Sequence, residues 1–113
     1  MEIEIEIYET DNEKRPFELW VKGLKEVHTR AKIRMRLDRL KMGNFGDCKT
    51  ISDGICELKI HYGPGIRIYY SKIGNIAVLL LCGGDKSSQI RDISKAKEYL
   101  KDYQTRGENR GKK

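Results

Sequence analysis

Residues 66–84 read IRIYYSKIGNIAVLLLCGG. Gly74-Asn75 favours a tight turn between two apolar runs, so the segment predicts a pair of antiparallel strands, Ile66–Lys72 and Ile76–Cys82. The second run carries no charged side chain, which indicates a strand inside a sheet rather than at its edge. It stops at Gly83-Gly84, and a polar segment follows at once.

Two further strands, Cys48–Ser52 and Ile55–His61, are predicted before this pair. Asp53-Gly54 separates them, and Gly63-Pro64-Gly65 separates the second from Ile66. Connections this short can join only antiparallel neighbours. The second half of the chain therefore predicts a four-stranded β-meander.

The first half predicts one strand and two helices. Isoleucine and glutamate alternate from Glu2 to Ile7, as in a half-buried strand near an edge. Apolar residues then recur at helical spacing in two segments, one that opens at Pro16 and one over Val27–Met42. Their core positions are Phe17, Trp20, Val21 and Leu24 in the first segment and Ile33, Leu37 and Leu40 in the second.

The C-terminal part predicts a closing helix, about Ser88–Tyr103, followed by a tail. The core positions of this helix are Ile90, Ile93 and Leu100. Residues 104–113 are polar and basic, which predicts a disordered tail after a single domain over residues 1–103. The order β-α-α-β-β-β-β-α predicts an α+β fold in which two N-terminal helices pack on a twisted, mainly antiparallel sheet.

Charge is distributed unevenly along the chain. The net charge is +6, but six of the 17 acidic residues precede Lys14, while all 23 basic residues lie from Lys14 onward. The rest of the protein therefore carries 11 acidic against 23 basic residues, a net charge of +12. Such a field attracts polyanions, and ordinary solubilising surface charge is the alternative interpretation.

Three cysteines, Cys48, Cys56 and Cys82, lack CxxC spacing and lie in apolar runs. They predict free, buried thiols in a reducing compartment. The N-terminus has no secretory signal pattern, and the longest apolar run is far shorter than the ~20 residues that a membrane helix requires. We expect a soluble cytoplasmic protein that does not contact a membrane.

Residues able to handle phosphate are concentrated in the meander. Arg67 stands alone among apolar neighbours in its strand, and the following strand ends in a loop that carries Lys86. Strand alternation also places Glu57, Lys59 and His61 on one face. Arginine can hold two phosphate oxygens, and histidine suits proton transfer near neutral pH.

Six short motifs together resemble the RelE/HigB-like toxin superfamily, in particular its branch of phage Gp49-like addiction-module killer proteins. The likeness covers about residues 3 to 100. The motifs are Phe17-Glu18-Leu19-Trp20, Arg36-Leu37-Asp38-Arg39-Leu40, Gly43-Asn44-Phe45-Gly46-Asp47, Glu57-Leu58-Lys59-Ile60, Tyr62-Gly63-Pro64-Gly65-Ile66-Arg67-Ile68-Tyr69-Tyr70 and Leu79-Leu80-Leu81-Cys82-Gly83-Gly84-Asp85-Lys86.

The resemblance implies the toxin of a type II toxin-antitoxin module, with a RelE-like fold. Such toxins are mostly ribosome-dependent mRNA endonucleases that use neither a metal nor another cofactor. The ribose 2′-OH attacks the adjacent phosphate, and the reaction needs a proton acceptor, cations and a proton donor. The implied partners are mRNA on the ribosome and a cognate helix-turn-helix antitoxin, which alone would make the DNA contacts.

The resemblance also implies roles for individual residues. Arg67 would clamp the phosphate, and Lys86 would neutralise the transition state or orient the leaving group. Lys59 and His61 are candidates for proton transfer, and Glu57 is a candidate base, orienting carboxylate or ion-pair partner. The expected RNA contacts are Arg91, Lys49 and Tyr69.

Plainer alternatives remain for the same residues. Arg67 could form a salt bridge with Glu57 or Asp85, Lys86 could be an exposed loop lysine, and His61 could be a solvated residue before a turn. Two other classes of function also stay open. A binding module would hold RNA or the ribosome without cleavage, and a phage-derived interaction protein would use the small apolar patch of Ala31 and Met35.

Overall fold

The computed structural model describes residues 2–111. It contains three α-helices and five strands, which confirms the α+β class and agrees with most predicted boundaries within a few residues. In chain order the elements are β1 (Glu4–Ile7), α1 (Pro16–Gly23), α2 (Val27–Lys41), β2 (Cys48–Ser52), β3 (Ile55–Ile60), β4 (Ile66–Ile73), β5 (Ala77–Gly84) and α3 (Gln89–Gly111), with a 3-10 turn at Lys86–Ser88.

The five strands form one mixed sheet in the order β1-β5-β4-β3-β2. Strands β2 to β5 make the predicted antiparallel meander, and β1 pairs with β5 in parallel. As predicted, β1 is an edge strand and β5 lies inside the sheet. Ile3, Ile5 and Ile7 pack on the core while Glu4 is exposed, as the alternating pattern requires.

A helix layer covers each face of the sheet. Ile33 and Leu40 of α2 pack against Leu58 and its neighbours on one face, which α1 also covers. On the opposite face Leu100 of α3 packs in a second cluster that includes Tyr69. Because both faces are covered, β5 is buried along its whole length.

A β-bulge in β5 sets the direction of its last residues. The register between β4 and β5 shifts at Leu81, so Leu81 and Cys82 both belong to the cluster under α3. Beyond the bulge, Gly83 faces the ring of Trp20 in α1, and Gly84 faces α3. The last two residues of β5 are therefore glycines, because a helix layer approaches the backbone of β5 closely on each face of the sheet.

The prediction of a disordered tail over residues 104–113 was wrong as far as the described chain extends. Helix α3 continues to Gly111, and residues 112 and 113 lie outside the described residues. Arg106 anchors the extension, since its Nη2 lies 2.8 Å from Asp102 Oδ2 and donates to the Glu9 carbonyl at 2.5 Å. The contact with Glu9 joins distant parts of the chain, so the local composition gave no sign of it.

The predicted burial of Ile90 was also wrong, because its side chain is 88% exposed. Ala96 and Leu100 of α3 are buried, Ile93 packs beside them, and Gln89 takes the corresponding inward position in the first turn. These positions follow the helical spacing i, i+4, i+7 and i+11. Ile90 lies one residue off that line.

The cysteines are free thiols, of which Cys56 and Cys82 are buried and Cys48 is half-buried. Burial, together with the charge of Asp92, raises the pKa of Cys82 to about 12. Among residues 2–111 there is no helix long and apolar enough to cross a membrane.

We expect Gly83→Ala to lower the free energy of unfolding by about 1–3 kcal/mol, because the new methyl group would overlap the Trp20 ring. Gly107→Ala is the matched control. It lies in α3 with nothing near its added methyl group, so alanine should raise helix stability by about 0.5–1 kcal/mol. Urea unfolding of both variants measures the difference, and an unchanged Gly83→Ala protein would contradict the close approach.

Candidate active site

The candidate site is built around Glu57, a carboxylate in the middle of β3 with a side chain only 1% exposed. Its Oε2 accepts a hydrogen bond from the Tyr69 hydroxyl at 3.0 Å and another from Gln89 Nε2 at 2.9 Å. Strand register places Lys49 and Tyr69 directly opposite Glu57 on its two sides. The two strands beside β3 and the first residue of α3 thus compensate a charge that has been removed from water.

Two polar atoms in this cluster have hydrogen-bonding capacity that the described part of the chain does not use. Glu57 Oε1 and Arg67 Nε are buried, and neither has a hydrogen-bond partner among residues 2–107, the part of the chain whose side chains are described. Lys49 Nζ lies 3.9 Å from Oε1, and Arg67 Nε lies 3.7 Å from Oε2. At these distances the cations stabilise the carboxylate as ion pairs, without hydrogen bonds.

Arg67 lies in the next row of the same sheet face. It pairs with Lys59 on β3 and with Gly84 on β5. Its side chain is 10% exposed, and Nη1 donates to the Gly65 carbonyl at 3.0 Å. The guanidinium is therefore held in place by the loop before its own strand and by Glu57, so the salt bridge considered from the sequence is present. A fixed, cationic fork is the geometry that phosphate recognition uses.

The loop after β5 is shaped by a cap. Asp85 Oδ1 accepts hydrogen bonds from Ser87 N at 2.8 Å and from Ser87 Oγ at 2.5 Å. Chiefly these bonds, helped by the positive charge of Arg67, hold the pKa of Asp85 below its usual range. The cap turns the chain into a 3-10 turn that begins at Lys86, whose side chain is exposed.

His61 follows the last residue of β3 and pairs with a carboxylate from a different element. Its Nε2 lies 2.5 Å from Asp47 Oδ2, and the two side chains are 70% and 55% exposed. The hydrogen bond from His61 is the main cause that lowers the pKa of Asp47, and the charge of Lys59 acts in the same direction. An ionised Asp47 can orient the imidazole, which is the arrangement a proton-transfer histidine needs.

The structure brings some predicted residues together and separates others. Lys49, Glu57, Lys59 and Arg67 occupy two adjacent rows of one sheet face. His61 lies farther along the same strand direction, beyond its end and paired with Asp47. Lys86 and Arg91 are exposed, the first at the 3-10 turn and the second in the first turn of α3.

The predicted direct contact between Tyr69 and RNA needs correction. Tyr69 is fully buried under α3, and its hydroxyl is engaged with Glu57. Burial, followed by the charge of Glu57, raises the pKa of Tyr69, so the hydroxyl keeps its proton and remains a donor. Tyr69 therefore positions the carboxylate instead of presenting its ring to a base.

Two residues of the site were missed by the sequence analysis, Gln89 and Asp47. Gln89 reaches a strand 32 positions earlier in the chain, which no local pattern reveals. Asp47 directly precedes β2, and the pairing of that strand with β3 brings it to His61. Tyr99 of α3 stacks on Tyr8 with ring centroids 4.9 Å apart, so it belongs to the core near β1.

Among residues 2–107, whose side chains the structure describes, no group of three or more His, Cys, Asp or Glu is arranged to hold a metal ion.

Comparison with known proteins gives one informative relative. No protein-family model matches the chain. A protein of Haemophilus influenzae (strain ATCC 51907 / DSM 11121 / KW20 / Rd), described as an uncharacterized protein, is 49% identical over 81 residues. The match covers 72% of this chain and 82% of the relative. The description of the relative states no activity, so the function must be argued from the site.

We expect His61→Ala to raise the pKa of Asp47 toward the ordinary aspartate range while leaving that of Asp85 unchanged, and Ser87→Ala to do the reverse. Each carboxyl has its own main partner, so the two variants serve as controls for each other. Because a depressed pKa favours the folded state only above the unfolded value, each contribution is lost as pH falls through the folded pKa. NMR titration of the side-chain carboxyl carbons measures both groups, and a matching response of both to either variant would contradict the assignment.

Proposed function

Because this chain belongs to the same family as the uncharacterized Haemophilus influenzae protein, whose description states no activity, we propose a function from the site itself. The protein is the toxin of a type II toxin-antitoxin module with a RelE-like fold, and it cleaves mRNA on the ribosome. Cleavage is a transesterification that needs no metal. The proposal is supported by the sequence motifs and by the arrangement of charged side chains around Arg67.

The observation that carries the proposal is the cross-strand row Lys59, Arg67 and Gly84. In this row Lys59 lies beside the fixed side chain of Arg67. The third member, Gly84, ends its strand, so the Asp85–Ser88 loop begins there and Lys86 lies at the same end of the sheet. Three cations from two strands and a loop are then available to one phosphate group. Cations placed in advance at a phosphorane are the main way a metal-free site can stabilise it.

The chemical step can be written in full. The ribose 2′-oxygen bonds to the adjacent phosphorus, the bond from phosphorus to the 5′-oxygen breaks, and the products are a 2′,3′-cyclic phosphate and a 5′-hydroxyl. The 2′-OH proton goes to a base, and the 5′-oxygen receives a proton from an acid. His61, oriented by Asp47, is the candidate for proton transfer, with Lys59 between it and Arg67.

Glu57 is proposed as an orienting carboxylate rather than the base. Its Oε2 already accepts two hydrogen bonds, and its side chain is 1% exposed. A carboxylate so buried is poorly placed to take a proton from a ribose, but it can fix the guanidinium of Arg67. Lys49, 3.9 Å from the other oxygen of Glu57 and 60% exposed, is positioned to contact RNA at the rim.

The proposed setting is the cytoplasm, with mRNA on the ribosome as substrate and a small helix-turn-helix antitoxin as inhibitor. Contact with DNA would then come from the antitoxin in the complex. Arg91 in the first turn of α3 is proposed to contact RNA next to Lys86.

One observation favours a second candidate, an RNA-binding or interaction protein that does not cleave. Arg67 is mostly buried and already bonded to Gly65 and paired with Glu57, as a structural arginine would be. In that case the exposed cations Lys49, Lys86 and Arg91 would supply RNA affinity, and loss of Arg67 would change it little.

We expect purified protein with EDTA to cut a defined mRNA only when programmed ribosomes are present, and Arg67→Ala to lower the cleavage rate at least about 100-fold. Mapping of 5′ ends measures both. Arg34→Ala is the matched control, since it removes an exposed arginine from α2 on the side of Ile5 and Phe17. It should cleave at the wild-type rate.

Urea unfolding of the same samples separates loss of chemistry from loss of fold. Folded Arg67→Ala protein that still cleaves would remove this residue from the mechanism. No cleavage by folded wild-type protein in either sample would favour the non-catalytic candidate.

A further inference from the structure

A groove of about 370 Å³ lies beside the candidate active site, between α2 and the end of β3. Charged side chains dominate its lining. The residues that matter here are Lys32, Met35, Arg36, Arg39, Lys59 and His61. The acidic residue among the lining is Asp47, which is paired with His61.

The cations on α2 form a single line along the groove. Lys32, Arg36 and Arg39 stand at i, i+4 and i+7, so they project from one side of the helix. At ~1.5 Å per residue the line is about 10 Å long. That length spans roughly three nucleotides at the ~3.4 Å rise of a stacked strand.

Arg36 fixes one wall of the groove. Its Nη2 donates to the Phe45 carbonyl at 2.9 Å, and its guanidinium lies so close to Gly46 that a side chain there would overlap it. Gly46 also has a φ of +61°, which favours glycine. The loop before β2 is therefore held against α2, and the groove is a built feature of the fold.

Lys59 connects this groove to the candidate active site. It lines the groove and pairs across the sheet with Arg67. The Arg67 side chain lies on the sheet face that α3 covers, so a chain of phosphates running along α2 would pass around the end of β3 at Lys59 to reach Arg67. This continuity is the reason to assign the groove a ligand that extends from the reacting phosphate.

From these contacts we propose that the groove between α2 and β3 binds the phosphodiester backbone of the RNA segment next to the cleaved linkage. The inference rests on the proposed RNA-directed function and adds a substrate-binding track to it. An acidic protein segment is the competing ligand. It is disfavoured because a docked peptide normally needs apolar anchor sites, and of the apolar side chains lining the groove Ile60 is buried in the core, which leaves Met35 and Tyr62.

The test compares two double variants of α2 that remove the same charge. Lys32→Gln with Arg39→Gln alters the groove, and Arg34→Gln with Lys41→Gln alters the other side of the helix. The probe is a fluorescein-labelled RNA of ~12 nucleotides in which every 2′-OH is methylated, so fluorescence anisotropy reports binding without cleavage. Titrations run from about 50 to 200 mM salt.

We expect the groove variant to lose about 25-fold in affinity at 0.1 M salt and the slope of log K against log salt to fall by about 1.4, as two lost phosphate contacts require for single-stranded RNA. The control variant should stay within about threefold of wild type, since its charges lie across the helix at roughly a Debye length. Equal losses in the two variants would overturn the groove assignment.

An oligoglutamate of ~12 residues gives a second arm. If the groove variant kept its RNA affinity but lost affinity for oligoglutamate, the groove would belong to an acidic protein segment and the proposal would fall. The binding results and the cleavage assay test the two proposals independently. Wild-type protein that cleaves while both variants bind alike overturns only the groove, and a specific loss of binding without wild-type cleavage overturns only the enzymatic function.

Discussion

The burial of the Glu57 carboxylate constrains much of the structure around it. Moving an ionised carboxylate out of water costs several kcal/mol unless donors and cations replace the lost solvent. Here the replacements come from β2, β4 and α3, through Lys49, Tyr69 and Gln89. The register of three strands and the starting point of α3 must agree for all of them to reach one side chain. Arg67 is held in position because it forms an ion pair with the same carboxylate.

This arrangement separates the residues that hold the site from those that can act in it. Tyr69 and Gln89 donate hydrogen bonds to Glu57, which in turn pairs with Arg67. Lys86, by contrast, is exposed in the 3-10 turn at the end of the sheet. For the proposed RNA substrate, a rigid interior row would hold one phosphate still while the cationic rim contacts RNA of varied sequence.

Most of the fold could be predicted because its signals are local. The turn residues between strands and the alternation in β1 gave the meander and the edge strand, and the boundaries of α1 and α2 followed from spacing. The site was harder to predict from the sequence, because its main contacts join residues that are far apart in the chain. Periodicity placed Tyr69 on the face of Arg67, but only the seating of α3 shows that the ring is covered. The same holds for Arg106, whose contact with Glu9 keeps the end of α3 helical.

The parallel pairing of β1 with β5 affects how the chain folds as it is synthesised. Glu4 pairs with Ala77, so β1 can find its partner only after a segment 73 positions further along the chain has been synthesised. Contacts so distant in sequence slow folding and leave an unpaired strand exposed meanwhile. Until β1 is paired, the negative charges of its glutamates disfavour contact with the same strand of another copy, which protects an isoleucine-rich edge from aggregation. The charge of β1 therefore bears on the folding of the sheet as well as on its finished edge.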